Sequence, residues 1–363
     1  MAGYAFKPIA EEDLPDVAAF LFEQREITSS TDWTQPRASQ DDLRWLLHNP
    51  HLRPDLSHGE TLRGPEGRIL GMILAVPRMY LLGDQRLLGL AAGNFYVDAS
   101  VRLQGFFMLR RFLATQGVEF CYANSCNRQS APLWAKCGAA LVAESDVEYL
   151  FPFNLGPLAE ELAIRKEWPT ASHRILRTLG PLANLFAAPR CPVNQFRLEG
   201  CVDVERLAAI AARNRNPQWL QPERSVPYLR WCYGPLLDSG GNAGPVDQVI
   251  YRFADQEGLE GWFALMFDLR GRNRQIRTAR LVDIVWPNQR LSFTDLLPAV
   301  IAAARPRSDM LSIRGRVGLA LQDGAIRGLK RRPLLAPEGF LTSKSPPSAE
   351  LGKLADFPFA DRY

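Results

Sequence analysis

Asn94-Phe95-Tyr96-Val97-Asp98-Ala99-Ser100-Val101-Arg102-Leu103-Gln104-Gly105-Phe106-Phe107 runs from an apolar strand through a tight loop into a helix. Asn127-Arg128-Gln129-Ser130-Ala131-Pro132-Leu133-Trp134-Ala135-Lys136-Cys137-Gly138-Ala139 follows one strand later and forms a second helix. A strand that enters a helix through a loop with a nearby glycine presents backbone N–H groups at the positive end of the helix dipole. Such an end binds phosphate.

Outward from this stretch the pattern gives a coarse element order. A strand at 4–9 precedes a helix near 12–25, with Val17, Phe20 and Leu21 as its apolar stripe. A second helix near 40–48 follows Ser39 as N-cap, with Asp41 and Asp42 in its first turn. Strands near 60–64, 68–77 and 86–98 are separated by Gly64-Pro65-Glu66-Gly67 and by Gly83-Asp84 turns. A helix at 105–116, a strand at 118–123, a helix at 128–137 and strands through 139–153 complete the unit. This order predicts an α+β (mixed α/β) fold, a mostly antiparallel sheet with helices on both faces.

The chain repeats itself. Leu43-Arg44-Trp45 recurs as Leu229-Arg230-Trp231, and Val97-Asp98 recurs as Val282-Asp283, offsets of 186 and 185. Leu133, Gly138 and Ala139 recur as Leu319, Gly324 and Ala325, while Val17-Ala18-Ala19 aligns with Leu207-Ala208-Ala209 at 190. We expect two tandem domains, 1–153 and 195–363, joined by an ordered linker at 154–194. The linker reads as two short helices around Pro169 and Pro181, ending at Pro189 and Pro192. The tail beyond Ser343-Lys344-Ser345-Pro346-Pro347 reads as partly flexible, with Phe357, Phe359 and Tyr363 able to dock back.

The 363 residues suit two domains, and a hydrophobic fraction of 47% with 23% charged residues is that of a soluble globular protein. No apolar run reaches the roughly 20 residues of a membrane span. Tyr4 to Ile9 followed by Glu11-Glu12-Asp13 reads as a strand and an acidic helix start, not as a signal peptide. The six cysteines show no C-x-x-C spacing and fit reduced thiols in a cytoplasmic protein. His48, His51 and His58 lack metal-site spacing, so no metal is expected. Charge is uneven: residues 1–153 hold 14 Lys and Arg against 18 Asp and Glu, the remainder 29 against 21. Arg270, Arg272, Arg274, Arg277 and Arg280, then Lys330, Arg331 and Arg332, read first as a solvated hairpin and loop. A phosphate-bearing acceptor or RNA is the sharper alternative.

The two quoted segments resemble the GNAT superfamily of acyl-CoA-dependent N-acyltransferases. Arg102 and Gly105 match the first two positions of its Q/R-x-x-G-x-G/A turn, whereas Leu103 and Phe107 stand where small residues are usual. Asn127, Leu133, Lys136 and Gly138 keep the spacing of its following helix, with Trp134 in place of the tyrosine that acts as general acid. The resemblance implies acetyl-CoA or another acyl-CoA as co-substrate. Tyr96, Val97, Arg102, Leu103, Gln104, Gly105, Phe106, Phe107, Asn127 and Ser130 would hold it. Asp98, Asn124 and Trp134 are the catalytic candidates, with Ser125, Glu60 and Tyr96 as further options. Because an indole N–H cannot deliver a proton at neutral pH, Trp134 would stabilise the leaving thiolate only by hydrogen bonding.

In the second domain Val282-Asp283-Ile284-Val285-Trp286-Pro287-Asn288-Gln289-Arg290 has no glycine, and Ile313 and Ala320 replace Asn127 and Trp134. That copy is expected not to bind coenzyme A. The function expected is transfer of an acyl group, acetyl first, to a small-molecule amine acceptor such as a sugar. Looser likeness to Fem-family aminoacyl transferases makes tRNA the alternative, less favoured partner. A non-catalytic GNAT-like scaffold is the third reading, and no insertion into a membrane is expected.

Overall fold

The computed structural model of the protein describes residues 3–28, 43, 45–187, 193–238, 247–272, 275–322, 329–343 and 345–356. Ser39, Asp41, Asp42, Arg44, Pro189, Pro192, Arg274, Gly324, Ala325, Phe357, Phe359 and Tyr363 lie outside them, and of the helix expected near 40–48 the described part holds a single turn of 3-10 helix, Trp45–His48. In chain order the strands of the first half are β1 (Ala5–Pro8), β2 (Gly59–Arg63), β3 (Ile69–Leu82), β4 (Gln85–Val97), β5 (Phe120–Ala123), β6 (Ala140–Leu141) and β7 (Val147–Pro152). Those of the second are β8 (Arg197–Gly200), β9 (Gln221–Pro222), β10 (Asp247–Ala254), β11 (Glu260–Arg270), β12 (Ile276–Val285), β13 (Met310–Arg314), β14 (Lys330–Pro333) and β15 (Phe340–Ser343). The helices are α1 (Leu14–Thr28), α2 (Gln104–Leu113), α3 (Ala131–Lys136), α4 (Leu155–Arg165), α5 (Thr170–Ala187), α6 (Val204–Arg213), α7 (Val226–Asp238), α8 (Phe293–Ala304), α9 (Leu319–Gln322) and α10 (Ser348–Leu354).

Two mostly antiparallel sheets result, one ordered β1-β2-β3-β4-β5-β15-β6 with β9 on β3, the other β14-β7-β13-β12-β11-β10-β8. Apolar faces stack them in layers. Val17 and Leu21 of α1, Leu207 and Ile210 of α6, and Leu229 and Trp231 of α7 fill the space between Leu74 and Val76 of β3 and Trp262 and Ala264 of β11. Met108, Leu109 and Phe112 of α2 cover the outer face of the first sheet against Ile73 and Leu90. Phe293, Leu297 and Ile301 of α8 cover the outer face of the second against Leu265 and Leu311.

The halves match at a register different from the one the short identities suggest. Helices α1 and α6 begin 190 residues apart, α2 and α8 begin 189 apart, and the parallel pairs Gly89↔Phe120 and Thr278↔Met310 agree with those offsets. At those offsets Val97-Asp98 and Val282-Asp283 are not equivalent positions. Val282-Asp283 lies inside β12, not at its end, and Ile313 lies in β13, the counterpart of β5. The position corresponding to Asn127 falls near Gly315–Val317, and the one corresponding to Trp134 falls outside the described residues.

The sheets also ignore the boundary expected at 153. β7 leaves the first half and inserts between β13 and β14, pairing antiparallel with both. β15 returns from the second half and inserts between β5 and β6. Each sheet thus receives a strand from the other half of the chain. In the linker, α5 runs through Pro181 unbroken. Proline cannot donate to the carbonyl of Arg177, and that carbonyl lies against Gly156 of α4, where an added Cβ would sit 2.9 Å away.

The exchanged β7 carries a buried charge. Oε1 of Glu148 accepts from Arg270 Nη1 at 2.8 Å, Arg314 Nη2 at 2.9 Å and Ser312 Oγ at 2.5 Å, while Arg332 bonds Oε2. Burial pushes the Glu148 pKa up, but the charges of Arg314, Arg270 and Arg332 outweigh it and hold the carboxyl well below the usual range. Arg277 pairs with Asp309 and Arg280 with Asp268, so three of the hairpin arginines are neutralised within the fold and do not form a solvated cationic arm. Glu148→Gln removes the buried charge that Arg270, Arg314 and Arg332 share. It should cost roughly 3–5 kcal/mol, read as a lowered melting temperature and denaturant midpoint.

His51 sits in the central layer, stacked on Tyr228 at 5.7 Å, and its Nδ1 accepts from the Met79 N–H at 3.2 Å. Burial, with help from Arg78 and Arg86 and against the pull of Glu223, lowers its pKa from 6.5 to about 4. Between those values the unfolded chain takes up a proton that the folded chain refuses, so stability falls as pH drops through that window. The loss should reach roughly 2 kcal/mol at pH 5 and shrink in His51→Gln, measured by thermal melts at pH 7 and pH 5.

Candidate functional site

Strands β4 and β5 run parallel and share the pairs Gly89↔Phe120, Leu90↔Cys121 and Ala91↔Tyr122. Beyond Ala91, β4 continues to Val97 while β5 ends at Ala123, held on its far side by β15 through Ala123↔Phe340. β4 also changes register against β3: Leu74 faces Gly93 and Met72 faces Tyr96, so β4 carries one extra residue. Asn94, with φ +42°, makes this bulge. The two strands therefore diverge into a V whose β4 wall has no ladder partner on the β5 side. Such an edge accepts an extended, amide-bearing chain as it would another strand.

The loop beyond β4 is drawn tight. Asp98 caps the turn Ala99–Val101 by accepting from the Ser100 N–H at 2.8 Å and the Ser100 hydroxyl at 2.7 Å. Those two bonds hold the exposed Asp98 carboxyl below its ordinary pKa, the opposite of what a base working near neutral pH needs. Helix α2 follows at Gln104, its N-terminus beside the end of β4, with Arg102 and Leu103 exposed just before it. Gly105 is buried, and an added Cβ would lie 3.3 Å from Val97 Cγ2 and 3.6 Å from Phe95 Cζ. Its missing side chain lets α2 settle on β4, and that close seating aims the helix end at the mouth of the V.

Phe107 turns outward and stays 52% exposed, so it neither enters the core nor strains the turn. Phe106 lies under the Arg110 guanidinium, 5.9 Å from its ring centre. Together with Leu113, Ala114, Gln116, Lys136 and Cys137 these two line a cleft of about 490 Å³ between α2 and the end of α3. Arg110 escaped the sequence reading, although its place one turn after Phe106 on a helix was the available signal.

The α3 side requires corrections. Trp134 is 1% exposed and packs edge-on against Phe112 at 6.1 Å, so it is a core residue and cannot meet a leaving thiolate. Asn127 and Ser130 close on each other in the turn that leads into α3. Asn127 Oδ1 accepts from the N–H groups of Gln129 and Ser130, and Ser130 Oγ accepts from the Asn127 N–H at 2.9 Å. Only the amide Nδ2 of Asn127 keeps donor capacity for a ligand. Asn124, past the end of β5, is buried and makes contacts of its own, while Ser125 is exposed. Glu60 is bound by Arg111 through two bonds of 2.7 and 2.9 Å. Burial raises the Cys126 thiol to about 12 despite a bond with Ser130, so it is protonated and no nucleophile. Tyr96 and Val97 line the diverging end of β4, both partly exposed.

In the second sheet β12 and β13 also pair over three residues, but the loop beyond β12 is filled. Beyond β12, Trp286 folds back, is 5% exposed, donates its indole N–H to Leu291 O at 3.0 Å and packs on Phe293 at the start of α8. A bulky ring thus occupies the loop that in the first sheet leads to an accessible helix end.

A bulged strand diverging from a parallel neighbour, with a helix N-terminus at its end, is the arrangement of the GNAT acyltransferase fold, and this chain has that fold. Three solved structures bear this out. It is similar to a conserved protein of unknown function and probable N-acyltransferase from Enterococcus faecalis V583, with 12% identity over 97% of this chain and 74% of that one, at a TM-score of 0.55. A GCN5-related N-acetyltransferase from Anabaena variabilis ATCC 29413 gives 12% identity, 93% and 72% coverage and a TM-score of 0.54. Saccharomyces cerevisiae N-myristoyltransferase, solved with bound myristoyl-CoA, gives 13%, 94%, 79% and 0.55. No protein-family model and no curated protein sequence matches the chain.

Gly105→Val should push α2 off Val97 and cost about 1–3 kcal/mol, read as a lowered melting temperature and denaturant midpoint.

Proposed function

We propose that the protein is an N-acyltransferase that moves an acyl group, acetyl first, from acyl-CoA to the amine of a small-molecule acceptor. The observation that carries this is the divergence of β4 from β5 beyond Ala91, with α2 seated at its end. An acyl-CoA presents an extended pantetheine amide chain, a pyrophosphate and a thioester, and the site offers a partner for each. The open β4 edge suits the amides. The α2 N-terminus with Arg102 suits the pyrophosphate, and Arg110 and Lys136 border the cleft beside it.

In the transfer the amine nitrogen attacks the thioester carbonyl carbon, a C–N bond forms, and the C–S bond breaks. The nitrogen loses a proton, and the sulfur leaves as thiolate and takes one up. Capping lowers the basicity of Asp98 and burial removes Trp134, so water in the open V is the carrier for both protons. Tyr96 is the hydroxyl-bearing side chain that β4 supplies in the diverging stretch. The role of β4 and α2 is to fix the acyl donor so that attack is effectively intramolecular. We place donor binding in the first sheet alone, because Trp286 closes the matching loop of the second.

The arginines that motivated an aminoacyl-tRNA donor support it less once folded, since Arg270, Arg277 and Arg280 pair with Glu148, Asp309 and Asp268. Calorimetric titration of acetyl-CoA should show binding to the wild type that weakens about tenfold or more in the exposed-site variant Arg102→Glu. No heat with the wild type for acetyl-CoA or a longer acyl-CoA removes the proposal. Binding without turnover of any amine leaves the scaffold reading in its place.

A further inference from the structure

The hairpin of α4 and α5 has its apolar residues on the wrong side for a protein surface. Ile175, Leu179 and Leu182 follow one another at helical spacing on α5 and are 57, 49 and 56% exposed. Trp168 in the hairpin turn and Leu162 on α4 are 49 and 55% exposed. Single exposed apolar residues are ordinary, but a helical stripe with a nearby tryptophan is not.

The fold itself holds the stripe outward. The opposite face of α5 carries Gly180, which crosses α4 so closely that an added Cβ would lie 2.2 Å from the Gly156 Cα. Rotating α5 to bury Ile175 and Leu179 would drive a side chain into that crossing. The hairpin is also sorted by charge. Its two α4 acids, Glu160 and Glu161, are buried, Glu160 facing Arg177 at 3.7 Å and Glu161 bonding Arg165 at 2.7 Å. Glu161 also accepts from the backbone N–H of Arg272, which brings the exposed Arg272 against α4. α5 itself contains His173, Arg174 and Arg177 and no acidic residue. Arg165, Lys166 and Arg177 of the hairpin and Arg272 beside α4 are exposed, Arg165 and Arg177 paired with the buried Glu161 and Glu160, against one exposed acid, Glu167.

We propose that this hairpin docks the protein on an anionic lipid surface, lying in the headgroup region with Ile175, Leu179, Leu182 and Trp168 inserted. An outward apolar stripe, a tryptophan and flanking cations without exposed α5 acids form the profile of an interfacial helix. Attachment is peripheral, since no helix among the described residues is long and apolar enough to cross a membrane. The proposal is independent of the acyl-transfer site, which lies at the β4–β5 opening.

The test is co-sedimentation of the full chain with phosphatidylcholine vesicles with and without phosphatidylglycerol, at low and high salt. Binding should need phosphatidylglycerol and fall with salt. Leu179→Glu and Trp168→Ala should each reduce it, the former by roughly tenfold, with melting temperature unchanged because both side chains are exposed. No sedimentation with anionic vesicles, or sedimentation indifferent to both variants, overturns the proposal. It is equally overturned if light scattering shows a dimer that Leu179→Glu dissociates, which would make a second copy of the chain the stripe's cover.

Discussion

The site depends on how soon two parallel strands stop pairing. β4 and β5 share three residue pairs and then separate, and this is tolerable because each has another neighbour. β3 pairs with β4 as far as Val97, and β15 pairs with β5 along its whole length. The backbone groups given up at the V are therefore few and face an accessible gap, where water or ligand amides satisfy them. The bulge at Asn94 increases the twist of β4 at the same level. Gly105 then seats α2 against the end of β4, so the helix dipole points where the strands part.

The second half shows the same frame with its loop packed and its helix end capped by Ser292 and Asp295. β12 and β13 also pair in parallel for three residues, and β12 also bulges, between Leu281 and Asp283. In place of an exposed turn it has Trp286 packed down by its own hydrogen bond. Asp283 at this bulge is buried against Arg224 at 2.6 Å and accepts from Tyr233 at 3.2 Å, tying β12 to α7. One half presents polar groups outward to chemistry. The other turns them inward to hold the layers together.

Much of this was legible in the sequence because strand alternation, turn glycines and helix periodicity are local signals. The β1–β5 elements, α1, α2 and α3 fall within a few residues of their expected places. What escaped was nonlocal. No pattern within Val147–Pro152 says which sheet it joins, and the run that was read as closing the first sheet completes the second. Short identities misplaced the repeat by about three residues because strand and helix starts, not matching letters, carry the register. Trp134 kept the spacing of a catalytic position yet faces the core, since one position on a six-residue helix is a matter of rotation. Asn127 and Ser130 hold the spacing of the resembled motif, yet polar side chains there also serve to close the turn into the helix.

The exchange of β7 and β15 has a consequence for the order of events on the ribosome. β5 waits for a partner that lies some two hundred residues downstream, so the first sheet cannot be completed until nearly the whole chain has emerged. Until then the far edge of β5 is an open ladder beside the forming β4–β5 gap, and β7 protrudes without the strands on either side of it. Contacts this distant in sequence slow folding and leave edges available for mispairing. The halves are thus obliged to mature together, and the half that has lost the cleft remains the one whose last strand closes it.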